Sequence, residues 1–195
     1  MDAQFWDELY GSREQLFSGN PNGVLVTEVT GMPAGRALDV GCGEGADARW
    51  LAERGWEVTA VDLSRTALDR AAALTSQVSW QQGDPTTTPP PAAAFDLVSL
   101  QYFPLPHEPD HTALRGLLAA VAEGGTLLVV GHDPADMPEV TDHGFAPAEH
   151  YQPGEIADLL GRSWTVQVLE TRTRTAPAPE ESPHVHDVVL RARRG

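Results

Sequence analysis

The sequence predicts an α/β fold in which a doubly wound, mostly parallel sheet is covered by helices on both faces. Three observations support this prediction. Short apolar strands alternate with helical segments along most of the 195 residues. A glycine-rich turn follows the first strand, within the segment Arg36-Ala-Leu-Asp-Val-Gly-Cys-Gly-Glu-Gly45. The uninterrupted apolar strand 126–130 is typical of a sheet that is buried on both faces.

The first half of the chain predicts a helical lead-in and then strands that alternate with helices. The lead-in breaks at Gly19-Asn-Pro-Asn-Gly23, which is a strong turn signal. Gly55 suits a left-handed cap at the end of one helix, and Ser64 suits an N-cap at the start of the next. The predicted elements are a lead-in over 2–30, strand 36–40, helix 45–54, strand 57–61, helix 65–73 and strand 78–82.

The second half predicts two more parallel strands and a final antiparallel hairpin. Leu114, Leu117, Leu118 and Val121 follow the spacing of one helix face, and Gly124-Gly125 is predicted to end that helix. The elements are an exposed loop over 85–94, strand 95–100, the helix around 114–121, strand 126–130, helix 153–160, and strands 164–174 and 184–192 joined by the Pro/Glu-rich loop 176–183. Together the two halves predict a seven-stranded sheet in one domain over 1–195.

Composition narrows the function to small-molecule chemistry. The formal net charge is −15, and all thirteen basic residues are arginines. A chain this acidic repels nucleic acid and anionic membrane surfaces. Cys42 is the only cysteine, which excludes an intrachain disulfide and agrees with a reducing compartment. The acidic first eight residues do not resemble a signal peptide, and no apolar run is long enough to span a bilayer. We therefore expect a cytoplasmic monomer or homodimer with no nucleic-acid or membrane partner.

The glycine turn carries the chemistry, in the pattern Asp39-x-Gly41-x-Gly43-x-Gly45. Glycines allow backbone conformations and close approaches that a Cβ would block. A strand, a glycine turn and a helix are expected to place free backbone N–H groups beside a ligand. A carboxylate two residues before the first glycine is a poor neighbour for a diphosphate but suits an ammonium group. This favours S-adenosylmethionine over a dinucleotide.

Several motifs in one order resemble a known family. Four features follow one another along the chain: the glycine turn, Asp62 after the second strand, Gly83-Asp84 after the third and Phe95-Asp-Leu-Val in the fourth. This order resembles that of the class I S-adenosylmethionine-dependent methyltransferases, which have a Rossmann-like fold. Three further segments are similar to a narrower group within this family. They are Trp6-Asp-Glu-Leu-Tyr10, Ser18-Gly-Asn-Pro-Asn22 and the run that starts Ala37-Leu-Asp-Val. That group comprises small bacterial methyltransferases related to the thiopurine and tellurite-detoxifying branch.

The resemblance implies roles for residues at these positions. The three glycines would let the turn pass close to the methionine half of the cofactor, whose amino end Asp39 would hold. Asp62 would accept from the ribose hydroxyls, as its place in a doubly wound fold also suggests. Residues 1–30 would form a lead-in and lid beside the core 36–195. The cofactor-binding residues implied in this way are Trp6, Tyr10, Asp39, Gly41, Cys42, Gly43, Gly45, Asp62, Leu63, Asp84 and Leu100.

Plainer interpretations remain open for some of these residues. Asp84 follows a glycine and precedes a proline, so it also suits a simple turn. Trp6 and Tyr10 lie four apart and also suit the hydrophobic anchoring of a helix. Cys42 is either a reactive thiol near a helix start or a small apolar filler.

No catalytic residue stands out, and three candidates are weak. Gln101 lies at the end of the fourth strand, where side chains turn towards the acceptor. His132 follows the fifth strand and could act as a base or simply bond locally. Tyr10 is the third. The spacings His107/His111, on a shared helix face, and His184/His186, on a strand, lack thiolate or carboxylate company, so no metal site is predicted.

Two other functions remain open beside methyl transfer to a small molecule. The turn can also be written Gly41-x-Gly43-x-x-Ala46, with Asp62 downstream, as in an NAD(P)-dependent oxidoreductase. The absence of room for a large second half speaks against it. A catalytically silent protein that binds S-adenosylmethionine is the other alternative.

Overall fold

The helices and strands follow the predicted alternation. The computed structural model describes residues 1–137, 146–175 and 184–195. The helices are α1 (Ala3–Gly11), α2 (Gly23–Val29), α3 (Ala46–Ala52), α4 (Arg65–Leu74), α5 (Thr112–Ala120) and α6 (Pro153–Leu159), with 3-10 turns at Pro134–Asp136 and Pro147–Glu149. The strands are β1 (Arg36–Val40), β2 (Glu57–Asp62), β3 (Val78–Gln82), β4 (Phe95–Gln101), β5 (Val121–His132), β6 (Trp164–Thr173) and β7 (His186–Arg194).

All seven strands lie in one sheet of order β3-β2-β1-β4-β5-β7-β6. The first five are parallel, while β7 runs antiparallel to both β5 and β6. The predicted doubly wound sheet with a final antiparallel pair is therefore confirmed. The strand order reverses between β1 and β4, and in such sheets ligands bind in the crevice at the carboxyl ends of these strands.

Two apolar layers cover the sheet. On one face, α5 and α6 bury side chains such as Leu117 and Ile156 against β4 and β5. On the other face, α2 and α3 bury Leu25, Trp50 and Leu51. Leu114 and Leu117 are buried as the helical spacing predicts, because that face of α5 lies on the sheet.

The boundary between α5 and β5 differs from the prediction. The helix ends at Ala120, not at Gly124-Gly125, because Val121 already pairs with Phe95 in the sheet. The glycines lie inside β5, where the register shifts and Gly124 has a φ of +74°. A bulge of this kind needs a residue without a Cβ penalty, so the glycines serve the strand and not the helix end.

The lead-in is joined to the last two strands by a buried carboxylate. Glu28 of α2 is 6% exposed. It accepts from Arg172 of β6 at 2.6 Å and pairs with Arg191 of β7 at 2.8 Å. A buried charge needs such partners, so this pairing holds α2 against the sheet.

The predicted loop 176–183 lies outside the described residues. In the described part of the chain, no helix combines the length and apolarity that crossing a bilayer requires.

Candidate active site

The crevice between β1 and β4 brings together most of the residues that the sequence singles out. Asp39 pairs in register with Ser99, and Val40 pairs with Leu100. Asp62 ends β2 on the other side of β1. The glycine turn leaves β1 between these two strand ends. Residues that are far apart in the sequence thus form one edge.

Each glycine of the turn is required for two reasons. Gly41, Gly43 and Gly45 have φ values of +70°, +52° and +78°, a region that side chains disfavour. In addition, an aromatic side chain of the chain itself packs against each of them. A Cβ on Gly41 would lie 2.6 Å from the Phe103 ring, and one on Gly43 would lie 2.6 Å from the Tyr10 hydroxyl. Trp80 stands in the same relation to Gly45.

The expectation of free backbone N–H groups in the turn is wrong for Gly41, Cys42, Gly43 and Gly45. Gly41 and Cys42 both donate to the carbonyl oxygen of Val61, at 2.8 and 3.1 Å. Gly43 donates to Asp62 Oδ2 at 2.8 Å, and Gly45 donates to the Cys42 carbonyl at 2.9 Å. These donors hold the turn against β2. The Asp39 carboxylate two residues before Gly41 remains the feature that disfavours a diphosphate here.

Asp39 is a buried acid with an unsatisfied oxygen. It is 2% exposed, and its Oδ2 atom has no hydrogen-bond partner among the described residues. Burial, together with the charges of Asp47 and Asp62, raises the pKa of Asp39 well above its ordinary value of 3.8. A cationic donor would satisfy the oxygen and compensate the charge. The ammonium group of S-adenosylmethionine fits these requirements.

Asp62 is buried too, but both of its oxygens are engaged. Oδ1 accepts from the Ser64 backbone N–H and Oδ2 from the Gly43 N–H, each at 2.8 Å. Burial raises the pKa of Asp62 above 3.8, and the backbone bonds oppose that shift. A carboxylate oxygen can accept more than one hydrogen bond. Asp62 can therefore hold the turn and still accept from ligand hydroxyls.

The N-terminal segment 2–22 is attached beside the turn by carboxylates, and the sequence alone did not reveal these contacts. Asn22 donates through its backbone and its side chain to the two oxygens of Asp47, both at 2.7 Å. Asp7 accepts from the Ser64 hydroxyl at 2.6 Å and from the Thr66 N–H at 3.0 Å. Both carboxylates therefore attach the segment to the first turns of α3 and α4.

Glu44, inside the glycine turn, is the third attachment. Its carboxylate accepts from the N–H groups of Leu16 and Phe17 at 3.1–3.3 Å and pairs with Arg70 at 2.8 Å. Arg70 also donates to the Arg13 carbonyl at 2.7 Å. The acids Glu44 and Asp47, next to the glycines, are the sequence signal that could have predicted these contacts. No local sequence pattern shows that they contact residues some 25 positions earlier in the chain.

We predict that Glu44→Ala will loosen this attachment. The change removes an acceptor from two N–H groups and leaves Arg70 without its carboxylate. Hydrogen exchange at Leu16 and Phe17 should then accelerate about 10–100-fold, because local opening becomes easier by roughly 1–3 kcal/mol. Glu53→Ala is the control, since that residue is exposed and its contact with Arg49 is 4.0 Å long. Equal exchange rates in the two variants would contradict an attaching role for Glu44.

Trp6 and Tyr10 are placed differently by α1. Tyr10 is 4% exposed, and its hydroxyl lies over Gly43. Trp6 is half-buried, with its ring 6.2 Å from that of Tyr10. Burial and the neighbouring Asp62 raise the pKa of Tyr10, so its hydroxyl keeps its proton near neutrality. Anchoring is therefore evident for Tyr10, and a contact with the cofactor stays a prediction.

Among the other predicted cofactor residues, Asp84 shows the turn geometry. Its Oδ1 accepts from the backbone and the hydroxyl of Thr86, at 2.8 and 2.6 Å. Leu63 is half-buried beside Asp62, and Leu100 is buried at 2% exposure. The roles of these three towards an adenine ring or an ammonium group stay predictions.

Cys42 resembles the apolar filler more than a reactive thiol. It packs against the layer of Leu25, Trp50 and Leu51. Burial, then the charges of Asp39 and Asp62, raise the pKa of its thiol well above the ordinary value. The thiolate is therefore scarce at neutral pH.

His132 ends β5 and does not lie in a loop after it. Its ring stacks on Tyr102 at 4.4 Å and on His184 at 4.0 Å. Burial, His184 and Arg174 lower the pKa of His132 to about 3. The imidazole is therefore neutral near pH 7 and too weak a base to hold a proton there.

The neighbouring Tyr102 carries backbone strain. Its φ is +56°, which is unusual for a residue with a side chain. Its hydroxyl donates to Asp187 Oδ1 at 2.9 Å, and burial raises its pKa. Arg174 pairs with the same Asp187 oxygen at 3.6 Å. These contacts join the ends of β4, β5 and β7.

The histidine spacings do not form a metal site. His107 and His111 do not share a helix face, because both precede α5 and His111 adopts a φ of +52° at its N-cap. They contact Tyr151 from two sides. His184 precedes β7, which begins at His186, so this pair does not alternate on a strand. Within 1–137, 146–175 and 184–195, no group of three or more suitable ligands could hold a metal ion.

Comparison with known proteins agrees with this architecture. Residues 37–125 match the family model of a methyltransferase domain. An uncharacterized methyltransferase of Mycobacterium tuberculosis is 43% identical over 96 residues, which are 48% of each chain. The trans-aconitate 2-methyltransferase of Rhizobium meliloti is 31% identical over 137 residues, covering 64% of this chain and 51% of that enzyme. The chain thus spans about half the length of these relatives.

Solved structures share the whole fold. An S-adenosylmethionine-dependent methyltransferase from Mesorhizobium loti superposes with a TM-score of 0.70, at 19% identity over 88% of this chain and 96% of the other. A TehB-like methyltransferase from Corynebacterium glutamicum superposes with a TM-score of 0.61, at 18% identity over 99% and 96% of the two chains. Residues 37–125 are therefore similar to a methyltransferase domain, and the seven-stranded sheet has the fold of these solved S-adenosylmethionine-dependent methyltransferases.

Proposed function

We propose that the protein transfers a methyl group from S-adenosylmethionine to a small-molecule acceptor. The observation that carries the proposal is the buried Asp39 Oδ2 atom, which has no hydrogen-bond partner among the described residues and lies just before the glycine turn. That edge therefore offers a site for a cation. The acidic net charge of −15 supports a small acceptor over nucleic acid.

Different residues of the crevice bind different parts of the cofactor. Asp39 holds the amino group, and Asp62 accepts from the ribose hydroxyls. Leu63 and Asp84 lie further along the sheet edge, where they contact the adenine. Tyr10 and the segment attached beside the turn cover the methionine half together with Gly41, Cys42, Gly43 and Gly45. A monomeric or homodimeric state and a cytoplasmic location stay predictions from the sequence.

The chain contributes alignment and exclusion of water more than proton transfer. The bound cofactor supplies an electrophilic methyl group, so the protein mainly has to orient the acceptor. Neither His132, with its pKa of about 3, nor Tyr10, with its raised pKa, is a base near neutrality. The acceptor therefore attacks through an atom that needs no prior loss of a proton to these residues. An amine or a soft sulfur atom meets this condition.

Titration calorimetry tests the proposal. The folded protein should bind S-adenosylmethionine and S-adenosylhomocysteine, and NADH should give no heat of binding. Release of S-adenosylhomocysteine with a panel of small amines and thiols would separate an active enzyme from a silent binder. If protein shown to be folded by circular dichroism binds neither sulfur compound, the proposal fails. Tight NADH binding would favour the oxidoreductase alternative.

A further inference from the structure

Gln101 combines burial with an unsatisfied oxygen outside the proposed cofactor contacts. Its side chain is 9% exposed. Its Nε2 donates to the Ser99 hydroxyl at 3.0 Å, while its Oε1 has no hydrogen-bond partner in the described part of the chain. A buried acceptor without a donor costs free energy until a donor reaches it. The amide therefore presents one accepting atom for a ligand.

The place of Gln101 in the sheet points to the methyl acceptor. Asp39 pairs with Ser99 and Val40 with Leu100, and Gln101 is the next residue of β4, at the carboxyl end of that strand. Alternate residues of a strand share a face, so Asp39, Ser99 and Gln101 face the same side. The two unsatisfied oxygens, Asp39 Oδ2 and Gln101 Oε1, thus lie on one face of adjacent strands. The first would bind the amino group of the cofactor, and the second lies one strand nearer to β5.

Both acidic and basic groups lie around this edge. Asp47 lies close enough to act electrostatically on both Asp39 and Tyr102. Tyr102 in turn donates to the buried Asp187. Arg174 lies over the Tyr102 ring and is 3.6 Å from Asp187, and its Nε has no hydrogen-bond partner in the described part of the chain.

We propose that Gln101 Oε1 receives an N–H or O–H donor from the methyl acceptor. The inference rests on the proposed function and deepens it. Gln101 is then a residue that determines specificity. Its oxygen is shielded from solvent, so the donor reaches it as the acceptor displaces the side chains that cover the edge.

Sinefungin tests this without knowledge of the acceptor. In this analogue a carbon bearing a protonated amine replaces the sulfonium and its methyl group, so an N–H donor stands where the methyl group would be. Wild-type protein should bind sinefungin more tightly than S-adenosylhomocysteine. Gln101→Leu should lower the ratio of the two affinities about tenfold, and Gln101→Glu should keep or raise it. Glutamate offers only oxygens, so retention identifies an accepting role.

The controls distinguish the possible failures. Affinity for S-adenosylhomocysteine should change by less than about twofold in both variants, which also shows that they fold. Gln167→Leu makes the same chemical change on the exposed strand β6 and should leave the ratio unaltered. A ratio that Gln101→Leu leaves unchanged, or that Gln101→Glu abolishes, would overturn this inference alone. Absence of S-adenosylhomocysteine binding in the wild type would overturn the proposed function, and this inference with it.

Discussion

Asp39→Asn is expected to stabilise the protein while weakening S-adenosylmethionine binding by at least about tenfold. The carboxylate is 2% exposed, lies near two other acids and has one unsatisfied oxygen. Asparagine is nearly the same size and removes the buried charge, so the free energy of unfolding should rise by about 1–3 kcal/mol. The same change removes the anion that compensates the ammonium of the cofactor.

The pH dependence provides a second measure of the same effect. The pKa of Asp39 is raised in the folded state above the ordinary 3.8. As pH rises through 3.8, the unfolded chain loses this proton while the folded chain keeps it. The free energy of unfolding therefore falls with increasing pH, and Asp39→Asn should reduce that slope. Urea unfolding at pH 5 and pH 8, together with calorimetry, measures both effects. A variant that is less stable at both pH values, with unchanged affinity, would show that Asp39 is structural.

Asp62→Ala should have the opposite effect on stability. Its two oxygens satisfy the Gly43 and Ser64 N–H groups, so alanine leaves two buried donors without acceptors. We expect the free energy of unfolding to fall by roughly 2 kcal/mol or more, since relief of the buried charge offsets only part of that loss. Affinity for S-adenosylmethionine should fall by roughly 2–3 kcal/mol if the bonds to ribose are charge-assisted.

The control for Asp62 is an exposed acid on the next helix. Asp69 pairs with Arg65 at the surface, and Asp69→Ala should change neither quantity measurably. Chemical unfolding and calorimetry of the two alanine variants, side by side, give the comparison. Cofactor affinity equal to that of the wild type in Asp62→Ala would remove this residue from the site, whatever happens to stability.

The succession of strands and helices follows from local sequence. Apolar runs bounded by glycine and proline predict β1 to β5 within a few residues, and the Ser64 cap is formed as predicted, with its hydroxyl accepting from Ala67. The end of α5 was the exception. Helical spacing continues to Val121, but sheet pairing with Phe95 is a long-range interaction that a local pattern does not contain.

In the candidate site, too, the sequence predicts some features and leaves others to the tertiary structure. The order of Asp39, the glycines and Asp62 places them at one sheet edge once the strands are parallel. The sequence could not show that the turn's N–H groups are engaged, because Val61 and Asp62 reach them only after β1 and β2 pair. It could not show the attachment of segment 2–22 through Asp7, Glu44 and Asp47 for the same reason.

The sequence by itself thus determined the fold class and the position of the crevice, and it predicts a cationic ligand there, because each of these depends on residue types at short spacing. The tertiary structure alone decided which buried side-chain oxygens remain without a hydrogen-bond donor. Asp47 and Asp62 receive hydrogen bonds from distant parts of the chain, whereas Asp39 Oδ2 and Gln101 Oε1 receive none from the described residues. That difference depends on which donors the folded chain brings within about 3 Å, and such distances are a property of the packing.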